Sequence, residues 1–418
     1  MPYILIIMLL LSPGTAFAYL DPGSGAVLIN LIIAGIAALL YSLKGLLLRI
    51  MGKGFAKAVL KSACNLAILS EGSAYQHTFS PLVQELIEQE VHFSYYTLDI
   101  SDPLLKVNNA YCHNRFLGFG ALGKYRAGNL VEPTVLCTTP NIGCKGYPVK
   151  RSAKTRELIH VFHSLVDISM YRQGSLDSYD TVIIPGEYHI SPIREIEHKR
   201  GLKAKKLIAL GSLYLDPLIA EMRQSHILKQ DRCIMVASSW GEKGLLKQYG
   251  IQPFIELARK DWQVIIRPHP HSFKHEPDLI NRLQRQSANI PNVVWDTKLS
   301  PVEAMSRAIL MISDTSSVRF DFAFIYERPV LSLEIPAENM PGFERNDLNE
   351  IWSEKAAIQI GMVAGKDEVL GNLHKLVEQT LNEYDSERIR TYRDANVKNF
   401  GEAAKAIAQY LISEPSKG

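Results

Sequence analysis

The sequence predicts an α/β fold in which two Rossmann-like domains face each other across a central cleft, preceded by an N-terminal membrane segment. Four observations support this prediction. The chain has 418 residues, which is too long for one ordinary domain. A long uncharged apolar run lies near its start, and two successive series of alternating strand and helix patterns follow. Hydrophobic residues make up 47% and charged residues 21%, as is typical of a globular protein.

The net charge and the cysteines exclude several classes of protein. The formal net charge is only +3 and no basic stripe with interleaved aromatic residues is present, so we expect no nucleic-acid partner. The five cysteines are odd in number, widely spaced and never arranged as C-x-x-C. They indicate neither a disulfide framework nor a zinc site, and they favour a reducing compartment.

The first apolar run, residues 3–11, is followed by "SPGTAFA", in which Ala16 and Ala18 resemble a signal-peptidase site. A positively charged region before the run is missing, apart from the α-amino group. Two interpretations stay open. Residues 1–18 are either a cleaved signal peptide or the first hydrophobic segment of a membrane hairpin.

A transmembrane helix is predicted over residues 26–48. Residues 26–43 carry no charge, and this run with its apolar extension is long enough to cross a hydrocarbon core of about 30 Å. Lysine and arginine are absent before Lys44 and frequent after it. The positive-inside rule therefore puts the large C-terminal part in the cytoplasm and residues 19–25 outside. The alternative is a buried helix of a soluble protein.

The first predicted domain spans residues 62–220. "NLAILSEG", "SPLVQELIEQE" and "VHFSYYTLD" have the patterns of strand, helix and strand, which together predict a βαβ unit and a parallel sheet. Further strands of this domain are predicted at residues 134–139, 158–163, 180–186 and 205–211.

The second predicted domain spans residues 225–395. Helical segments separate its predicted strands, which lie at residues 232–239, 262–270, 292–296, 308–314 and 329–334. The last helix, within residues 396–418, is expected to pack back on the first domain. Two such domains facing a cleft describe the GT-B architecture of nucleotide-dependent transferases.

Polar residues that close predicted strands are the candidate site residues, because ligands of open α/β sheets bind at the carboxyl ends of the strands. "HVFHS" ends with His163, and "IIRPHPH" contains Arg267, a fixed positive charge, and His269. "MISDTSS" adds Asp314 and two serines. A histidine at a strand end suits a general base.

The run "SDTSS" precedes the predicted helix "VRFDFAFIY", so hydroxyl groups and free N–H groups gather at a helix N-terminus. This arrangement predicts a phosphate site. The alternative is that Asp314 and the serines only cap the helix. The two roles are compatible.

Two other patterns are weaker evidence for a ligand site. His269, His271 and His275 offer three imidazoles, but no carboxylate or cysteine pattern completes a site, so we expect no metal. "GFGALG", residues 118–123, satisfies G-x-G-x-x-G without a clear preceding strand or an acidic residue about 20 positions later. We predict a flexible turn there, and no cofactor.

At these segments the chain resembles the CDP-glycerol glycerophosphotransferase family, the teichoic-acid primases and polymerases. "IIRPHP" is similar to the family's R-P-H-P motif, and "MISDTSSVRFDFAFIYERPVL" to I-T-D-Y-S-S-x-x-F-D-x-A…R-P. "CIMVASSWGEKG" resembles an apolar strand followed by A-P-T-W. The resemblance covers about residues 155–335, with the order and spacing of the motifs kept.

The resemblance implies roles for particular residues. His163 stands where the family has its proposed base, although "VFHS" replaces the family's aromatic-His-Gly pattern. His269 stands where a histidine contacts the donor diphosphate and assists the departure of CMP. The substrate-binding residues expected from the motifs and strand ends together are Arg267, Asp314, Thr315, Ser316, Ser317 and Asp321.

The function implied by this resemblance is transfer of glycerol phosphate, or a related polyol phosphate, from a CDP-alcohol to a lipid-linked saccharide or polymer, with release of CMP. The domains are then expected on the cytoplasmic side of a bacterial inner membrane, on a single-pass protein that takes part in cell-envelope synthesis. Three alternatives stay open: a nucleotide-sugar glycosyltransferase of the GT-B type, a sugar 2-epimerase, and an inactive membrane-tethered scaffold.

Overall fold

The computed structural model describes residues 64–335 and 342–413, together with Gly35. Apart from Gly35, the predicted N-terminal segments at residues 1–18, 19–25 and 26–48 lie outside the described residues. None of the helices in the described part of the chain combines the length and the apolar character that crossing a bilayer requires. Both sheets described below belong to one compact unit, residues 60–418.

The first sheet contains seven parallel strands in the order β3-β2-β1-β4-β5-β6-β7. Its strands are β1 (Leu66–Ser70), β2 (Phe93–Thr97), β3 (Cys112–Phe116), β4 (Thr134–Cys137), β5 (Glu157–Val161), β6 (Thr181–Ile184) and β7 (Lys206–Ala209). The helices of this region are α1 (Gln76–Glu88), α2 (Gly120–Ala127), α3 (Ile190–Arg200) and α4 (Leu215–Gln224).

The second sheet contains six parallel strands in the order β10-β9-β8-β11-β12-β13. Its strands are β8 (Cys233–Ala237), β9 (Gln263–Arg267), β10 (Val293–Trp295), β11 (Leu310–Ser313), β12 (Val330–Leu333) and β13 (Gly361–Ala364). Helices of this region and the C-terminus are α5 (Leu245–Tyr249), α6 (Gln252–Ala258), α7 (Pro270–His275), α8 (Pro277–Ser287), α9 (Val302–Arg307), α10 (Val318–Tyr326), α11 (Trp352–Gln359), α12 (Lys366–Val369), α13 (Leu373–Asn382), α14 (Ser386–Asn396) and α15 (Ala403–Ser413).

Each strand predicted from the sequence is present, and two edge strands, β3 and β13, were not predicted. Central strands such as β8 are buried along their whole length and read as continuous apolar runs, which is typical of parallel sheets covered on both faces. The sequences "CHNRF" of β3 and "GMVA" of β13 are only partly buried and lack such a run. Both segments are extended because of their backbone hydrogen bonds to a neighbouring strand, β2 for β3 and β12 for β13.

Residues 118–123 do not form the flexible turn that we predicted. They join β3 to α2, so a strand precedes the glycine motif and a helix begins inside it. Gly118 has a φ of 110°, which glycine adopts far more readily than other residues. A Cβ at Gly123 would lie 2.1 Å from the carbonyl oxygen of Gly118. The glycines therefore allow close packing of strand and helix at the edge of the sheet.

The C-terminal helix α15 packs on the first sheet. Ala403 and Ile407 are fully buried there, in one core cluster with Phe79 of α1 and Phe93 of β2. The N–H groups of Ala403 and Ala404 donate to the carboxylate of Asp216 on α4, at 3.2 and 2.7 Å. The chain thus returns to the first sheet after completing the second.

The strand-end loops of the first sheet contact the second half of the molecule. Leu165, after β5, shares a core cluster with Ala237 at the end of β8 and with Phe320 on α10. Tyr188, after β6, stacks on Trp352 of α11 with ring centroids 3.9 Å apart. Residues that follow β5 and β6 in the first sheet therefore pack against the second half of the molecule.

The crossing segment, residues 342–353, follows β12 in the chain but binds the first half of the molecule. The carboxylate of Glu344 accepts hydrogen bonds from the guanidinium of Arg200 on α3, at 3.1 Å, and from the N–H of Gly174, at 2.9 Å. The N–H of Glu344 donates to the buried Tyr171 carbonyl at 2.8 Å. The segment is thereby fixed to the loop between β5 and β6.

Candidate functional site

Each sheet reverses its strand order at one point, and such a reversal opens a crevice at the carboxyl ends of the strands. In the first sheet β1 lies between β2 and β4, and in the second sheet β8 lies between β9 and β11. We define the first-sheet crevice by residues 71–75 and 138–147, and the second-sheet crevice by residues 238–245 and 314–318. These are the places where the fold itself favours a ligand.

Asp314 joins the two turns of the second-sheet crevice. Its Oδ2 accepts from the N–H and hydroxyl of Ser239, at 2.9 and 2.7 Å, and from the N–H of Leu245, at 2.8 Å. Its Oδ1 accepts from the N–H of Ser316 at 2.9 Å. The side chain is 1% exposed, and burial raises its pKa. We predicted a substrate contact for Asp314, whereas its carboxylate is fully engaged in holding these turns.

The hydroxyl groups that follow Asp314 are available for a ligand. Thr315 is exposed and Ser316 and Ser317 are partly buried, and none of their side chains bonds to another described residue. Ser317 precedes α10 without capping it through its side chain, and the N–H groups of Ser317 and Val318 have no acceptor within the described structure. Several donors therefore surround the N-terminus of a nine-residue helix, as phosphate binding requires.

His269 is a neutral hydrogen-bond donor next to this crevice. It occupies the N-cap of α7, with Pro270 at the first helical position, and its Nδ1 accepts from the N–H of His271 at 3.1 Å. The proton of the neutral ring is therefore on Nε2. Burial, and then the neighbouring His271, lower the pKa of His269 to about 4.

Arg267 closes β9, but its charge is balanced within the protein. Its Nη1 pairs with Asp296 at 2.6 Å, and its Nη2 donates to the carbonyl of Leu299 at 3.0 Å. The side chain is only 13% exposed. We expected Arg267 to supply a fixed positive charge to the ligand. Its guanidinium instead binds Asp296 and Leu299 and so holds the loop after β10.

Asp321 lies inside the molecule, not in a ligand site. Asp321 is 1% exposed, and its Oδ1 has no hydrogen-bond partner among the residues that the structure describes. Burial raises its pKa to about 8. Asp321 is close enough to Tyr188 and Tyr214 to raise their pKa values, after the larger effect of burial. The predicted substrate contact is thus replaced by a buried position near the loops after β6 and β7.

The three histidines considered as metal ligands stack on one another. His269 and His271 lie 5.2 Å apart with an interplanar angle of 9°, and His271 and His275 lie 5.5 Å apart. The half-exposed ring of Trp240, after β8, lies 5.1 Å from His271. Among residues 64–335 and 342–413, no three histidine, cysteine or carboxylate side chains are grouped so as to hold a metal ion.

His163, the predicted base, lies beside the first-sheet crevice. It follows β5, is partly buried, and its ring meets that of Tyr75 edge-on at 5.5 Å. Its Nδ1 is buried without a partner, which leaves Nε2 as the nitrogen that can reach an acceptor. Burial lowers the pKa of His163, so the ring is neutral at physiological pH, as a base must be. No hydrogen bond or ring contact joins it to the described second-sheet crevice.

Several buried polar atoms at the carboxyl edge of the first sheet have no partner within the part of the chain that the structure describes. They are the Oγ1 atoms of Thr138 and Thr139, Nδ1 of His160 and of His163, and both ring nitrogens of His189. A buried polar atom left unsatisfied costs about 1–3 kcal/mol. Such a group of atoms therefore marks a place where a ligand or ordered water completes the hydrogen bonding.

A chain of hydrogen bonds connects the loop of His163 with the second-sheet crevice. Asp167 accepts from the N–H of Ser353 at 2.8 Å, and the carbonyl of Ser353 accepts from Nη2 of Arg319 at 2.8 Å. Nη1 of Arg319 donates to the carbonyl of Asp314 at 3.1 Å. Burial lowers the pKa of Arg319 to about 10. The loop after β5 is therefore linked to the second-sheet crevice through bonds that cross from one half of the molecule to the other.

Sequence reasoning missed two groups of residues. Glu71, Tyr75 and Tyr147 belong to the first-sheet crevice, and Glu71 directly follows β1. The strand-end rule that selected His163 also selects Glu71, so this signal was present. The role of Arg319 had no comparable signal, because it depends on Ser353, which is distant in the sequence.

Comparison with known proteins agrees with this architecture. The chain matches no protein-family model and no curated protein. A His-to-Asn variant of the wall teichoic acid polymerase TagF, soaked with CDPG, has a similar structure: the TM-score is 0.55 at 16% identity, over 92% of this chain and 98% of that chain.

Two sugar epimerases are also similar in structure. For UDP-GlcNAc 2-epimerase from Neisseria meningitidis bound to UDP-GlcNAc, the TM-score is 0.51 at 16% identity, over 83% of this chain and 99% of that chain. A putative UDP-N-acetylglucosamine 2-epimerase from Listeria monocytogenes has a TM-score of 0.52 at 13% identity, over 84% and 96%. At these identities the likeness shows the fold. The chain thus has two parallel-sheet α/β domains like those of GT-B glycosyltransferases, and its resemblance to the CDP-glycerol glycerophosphotransferase family extends to the fold of TagF.

Proposed function

We propose that this chain is a membrane-anchored transferase that moves glycerol phosphate, or a related polyol phosphate, from a CDP-alcohol to a lipid-linked saccharide or polymer, with release of CMP. The second-sheet crevice carries the proposal. The segments "RPHP" and "SDTSS" end the strands on either side of β8. Around them the hydroxyls of Ser316 and Ser317 and the N-terminus of α10 are donors that no described residue pairs.

The donor diphosphate occupies this crevice in the proposed reaction. The N–H groups and hydroxyls at residues 315–318 bind its oxygens, since a helix N-terminus favours an anion. The negative charge of the bound diphosphate raises the pKa of His269 from about 4, because it favours the imidazolium. His269 then donates a hydrogen bond, or its proton, to the departing CMP.

The acceptor reacts from the side of the first sheet. Its hydroxyl oxygen attacks the β-phosphorus of the CDP-alcohol, and Nε2 of His163 takes the proton of that hydroxyl. A bond forms between the acceptor oxygen and the β-phosphorus. The bond from that phosphorus to the bridging oxygen breaks, and CMP leaves with the bonding electron pair.

Membrane anchoring is the second part of the proposal. The uncharged run at residues 26–43 and the basic residues after it support a single pass through a bacterial cytoplasmic membrane, with the two sheets on the cytoplasmic side. An anchored enzyme and a lipid-linked acceptor share one surface. The anchor therefore supports a lipid-linked acceptor over a free soluble one.

The test is a donor screen with the full-length chain in membrane vesicles that contain lipid extract. We expect CMP release from CDP-glycerol or CDP-ribitol, and its loss in His269→Ala. His226→Ala is the matched control and keeps the wild-type rate. It changes an exposed histidine that lies, along the chain, after the last strand of the first sheet and before the first strand of the second.

Two outcomes contradict the proposal. One is the absence of CMP release with every CDP-alcohol tested in the presence of lipid extract. The other is turnover of UDP-GlcNAc, to UDP or to its 2-epimer, which indicates a glycosyltransferase or an epimerase.

A further inference from the structure

The first turn of α10 contains a buried cation that the proposed reaction does not use. Arg319 is the second residue of this helix and is 5% exposed. Its Nη1 donates to the carbonyl of Asp314 at 3.1 Å and to the hydroxyl of Ser332 at 3.3 Å, and its Nη2 donates to the carbonyl of Ser353 at 2.8 Å. All three acceptors are neutral oxygens. Its Nε is buried without a partner among the residues that the structure describes.

A cation in this place is costly for the protein unless an anion is near. Burial takes the guanidinium out of water and lowers the pKa of Arg319 to about 10, so the group is still charged at physiological pH. A helix N-terminus has partial positive charge, which disfavours a cation in the first turn. The same turn leaves the N–H groups of Ser317 and Val318 without an acceptor in the described structure. Positive charge is therefore concentrated where the fold favours a ligand.

The carboxylates around Arg319 act on it without forming an ion pair in the described structure. Burial is the largest influence on its pKa, and Asp314, Asp167 and Glu354 raise that pKa in smaller steps. The Asp314 carboxylate accepts its own hydrogen bonds from neutral donors. Arg319 is therefore a buried cation that offsets the buried charge of Asp314.

Most other charged side chains near the second-sheet crevice pair with one another. The pairs are Arg267 with Asp296 at 2.6 Å, Lys247 with Glu242 at 2.5 Å, and Lys247 with Glu276 at 4.0 Å. Lys243, in the turn after β8, is a further, partly buried cation. Arg319 differs from these groups because it is almost fully covered and is fixed by three hydrogen bonds. Loss of its charge would leave the Asp314 carboxylate to oppose a bound anion.

We infer that Arg319 is a positioning residue for the donor. From behind the turn of residues 314–317, its buried charge offsets that of Asp314 and so lets the diphosphate bind at the N-terminus of α10. Arg319 acts through the turn, because its hydrogen bond to the crevice goes to the carbonyl of Asp314. The identity of the anion as the donor diphosphate rests on the proposed function. The need for the charge of Arg319 rests on these contacts alone.

The experiment measures binding of an anion in the absence of any donor. The full-length chain in lipid nanodiscs is titrated with inorganic pyrophosphate at pH 7 and followed by isothermal titration calorimetry. Arg319→Gln keeps an amide donor but removes the charge, and we expect it to bind pyrophosphate about tenfold more weakly than the wild type. Arg319→Lys keeps the charge and should stay within about threefold of the wild type.

Arg328→Gln is the matched control. Arg328 is also partly buried, and its Nη1 donates to the carbonyls of Met305, Ser306 and Ala308 at 3.1, 2.8 and 2.6 Å. It follows the C-terminal end of α10, so loss of its charge should leave the affinity for pyrophosphate unchanged.

The transfer reaction gives a second measurement, which a purely structural role would not reproduce. Arg319→Gln should raise KM for CDP-glycerol about tenfold and change kcat by less than about twofold, because the charge acts on the diphosphate before and during the reaction alike. Arg319→Lys should restore a KM close to that of the wild type. A residue that only holds the fold would instead lower kcat as folded enzyme is lost.

An Arg319→Gln variant that binds pyrophosphate like the wild type overturns the inference. So does a wild type that does not bind pyrophosphate, or an Arg319→Lys variant that loses as much affinity as Arg319→Gln. If Arg319→Gln fails to fold, Arg319→Lys decides the matter. Burial lowers the pKa of a lysine there, so its affinity relative to the wild type should fall between pH 7 and pH 9.5, and a constant ratio contradicts the inference.

The failure of this inference and the failure of the proposed function are distinguishable. CMP release with an unchanged KM in Arg319→Gln sinks this inference alone. Weaker pyrophosphate binding in Arg319→Gln, without CMP release by the wild type from any CDP-alcohol, sinks the proposed function alone.

Discussion

The two crevices differ in how far the protein satisfies its own polar groups. In the second-sheet crevice Asp314 accepts four hydrogen bonds, and Arg267 nearby is held by Asp296. The donors left over, at Ser316 and Ser317, are in reach of solvent. At the carboxyl edge of the first sheet, buried atoms such as Nδ1 of His163 have no partner among residues 64–335 and 342–413.

This difference indicates when each crevice acquires its final geometry. A turn whose internal hydrogen bonds are complete is preorganised, and a ligand binds to it without reordering. An edge with unsatisfied buried atoms gains hydrogen bonds only when a ligand arrives. Ligand binding should therefore stabilise the first sheet more than the second.

Removing the base should have the largest effect. His163→Ala is expected to lower the rate of CMP transfer about 10²–10⁴-fold, because general-base catalysis contributes that much. Binding of CDP-glycerol should be unchanged, since the second-sheet crevice is intact. Because burial lowers the pKa of His163, the wild-type rate should begin to fall only below pH 6.5. His113→Ala, an exposed histidine of β3, is the control. A transfer rate that survives His163→Ala contradicts the assignment.

Removing the central carboxylate of the second-sheet crevice should lower stability. Asp314→Ala leaves four donors of buried turns without their acceptor, and we expect the free energy of unfolding to fall by about 3 kcal/mol. Urea denaturation measures this loss, with the exposed Asp231→Ala as control. An Asp314→Ala variant as stable as the control would show that these turns hold without the carboxylate.

The first sheet should lose stability in acid. Burial lowers the pKa of His189 to about 3 from its ordinary 6.5, an effect that Asp167 only partly offsets. The contribution of this histidine is therefore complete above pH 6.5 and is lost as the pH falls towards 3. Between pH 6.5 and pH 5, the wild type should lose about 2 kcal/mol more than His189→Phe. Equal losses in the two proteins would contradict the buried neutral state of His189.

For Asp321 on α10, the helix beside the second-sheet crevice, stability should depend on pH in the opposite direction and fall as the pH rises. Burial raises the pKa of Asp321 to about 8 from 3.8, so its contribution is complete below 3.8 and is lost as the pH rises through 8. From pH 6 to pH 7.5 the wild type should lose up to about 2 kcal/mol relative to Asp321→Asn. Urea denaturation at both pH values measures this. A wild type that gains stability over that range relative to the variant would show Asp321 to be charged and paired.

Much of the fold and part of the site follow from the sequence. The central strands were predicted because parallel strands covered on both faces are continuous apolar runs. His163 and Ser316 could be selected as candidates because parallel strands bring their carboxyl ends to one edge. The actual partners of Arg267 and Asp314 were not predictable in this way. Asp296 is 29 residues from Arg267, and Ser239 is 75 residues from Asp314, so no local pattern encodes these contacts.

The crossing segment, residues 342–353, determines where the molecule can be divided. Along the chain it belongs to the second predicted domain, yet Glu344 binds Arg200 and the buried Tyr171 carbonyl of the first. The helix α15 also follows the second sheet in the chain but binds the first half, since its first N–H groups donate to Asp216. A fragment that ends between the sheets, near residue 225, would leave these partners exposed or unpaired. The first domain as the sequence delimits it, residues 62–220, therefore lacks two segments that the structure packs against it.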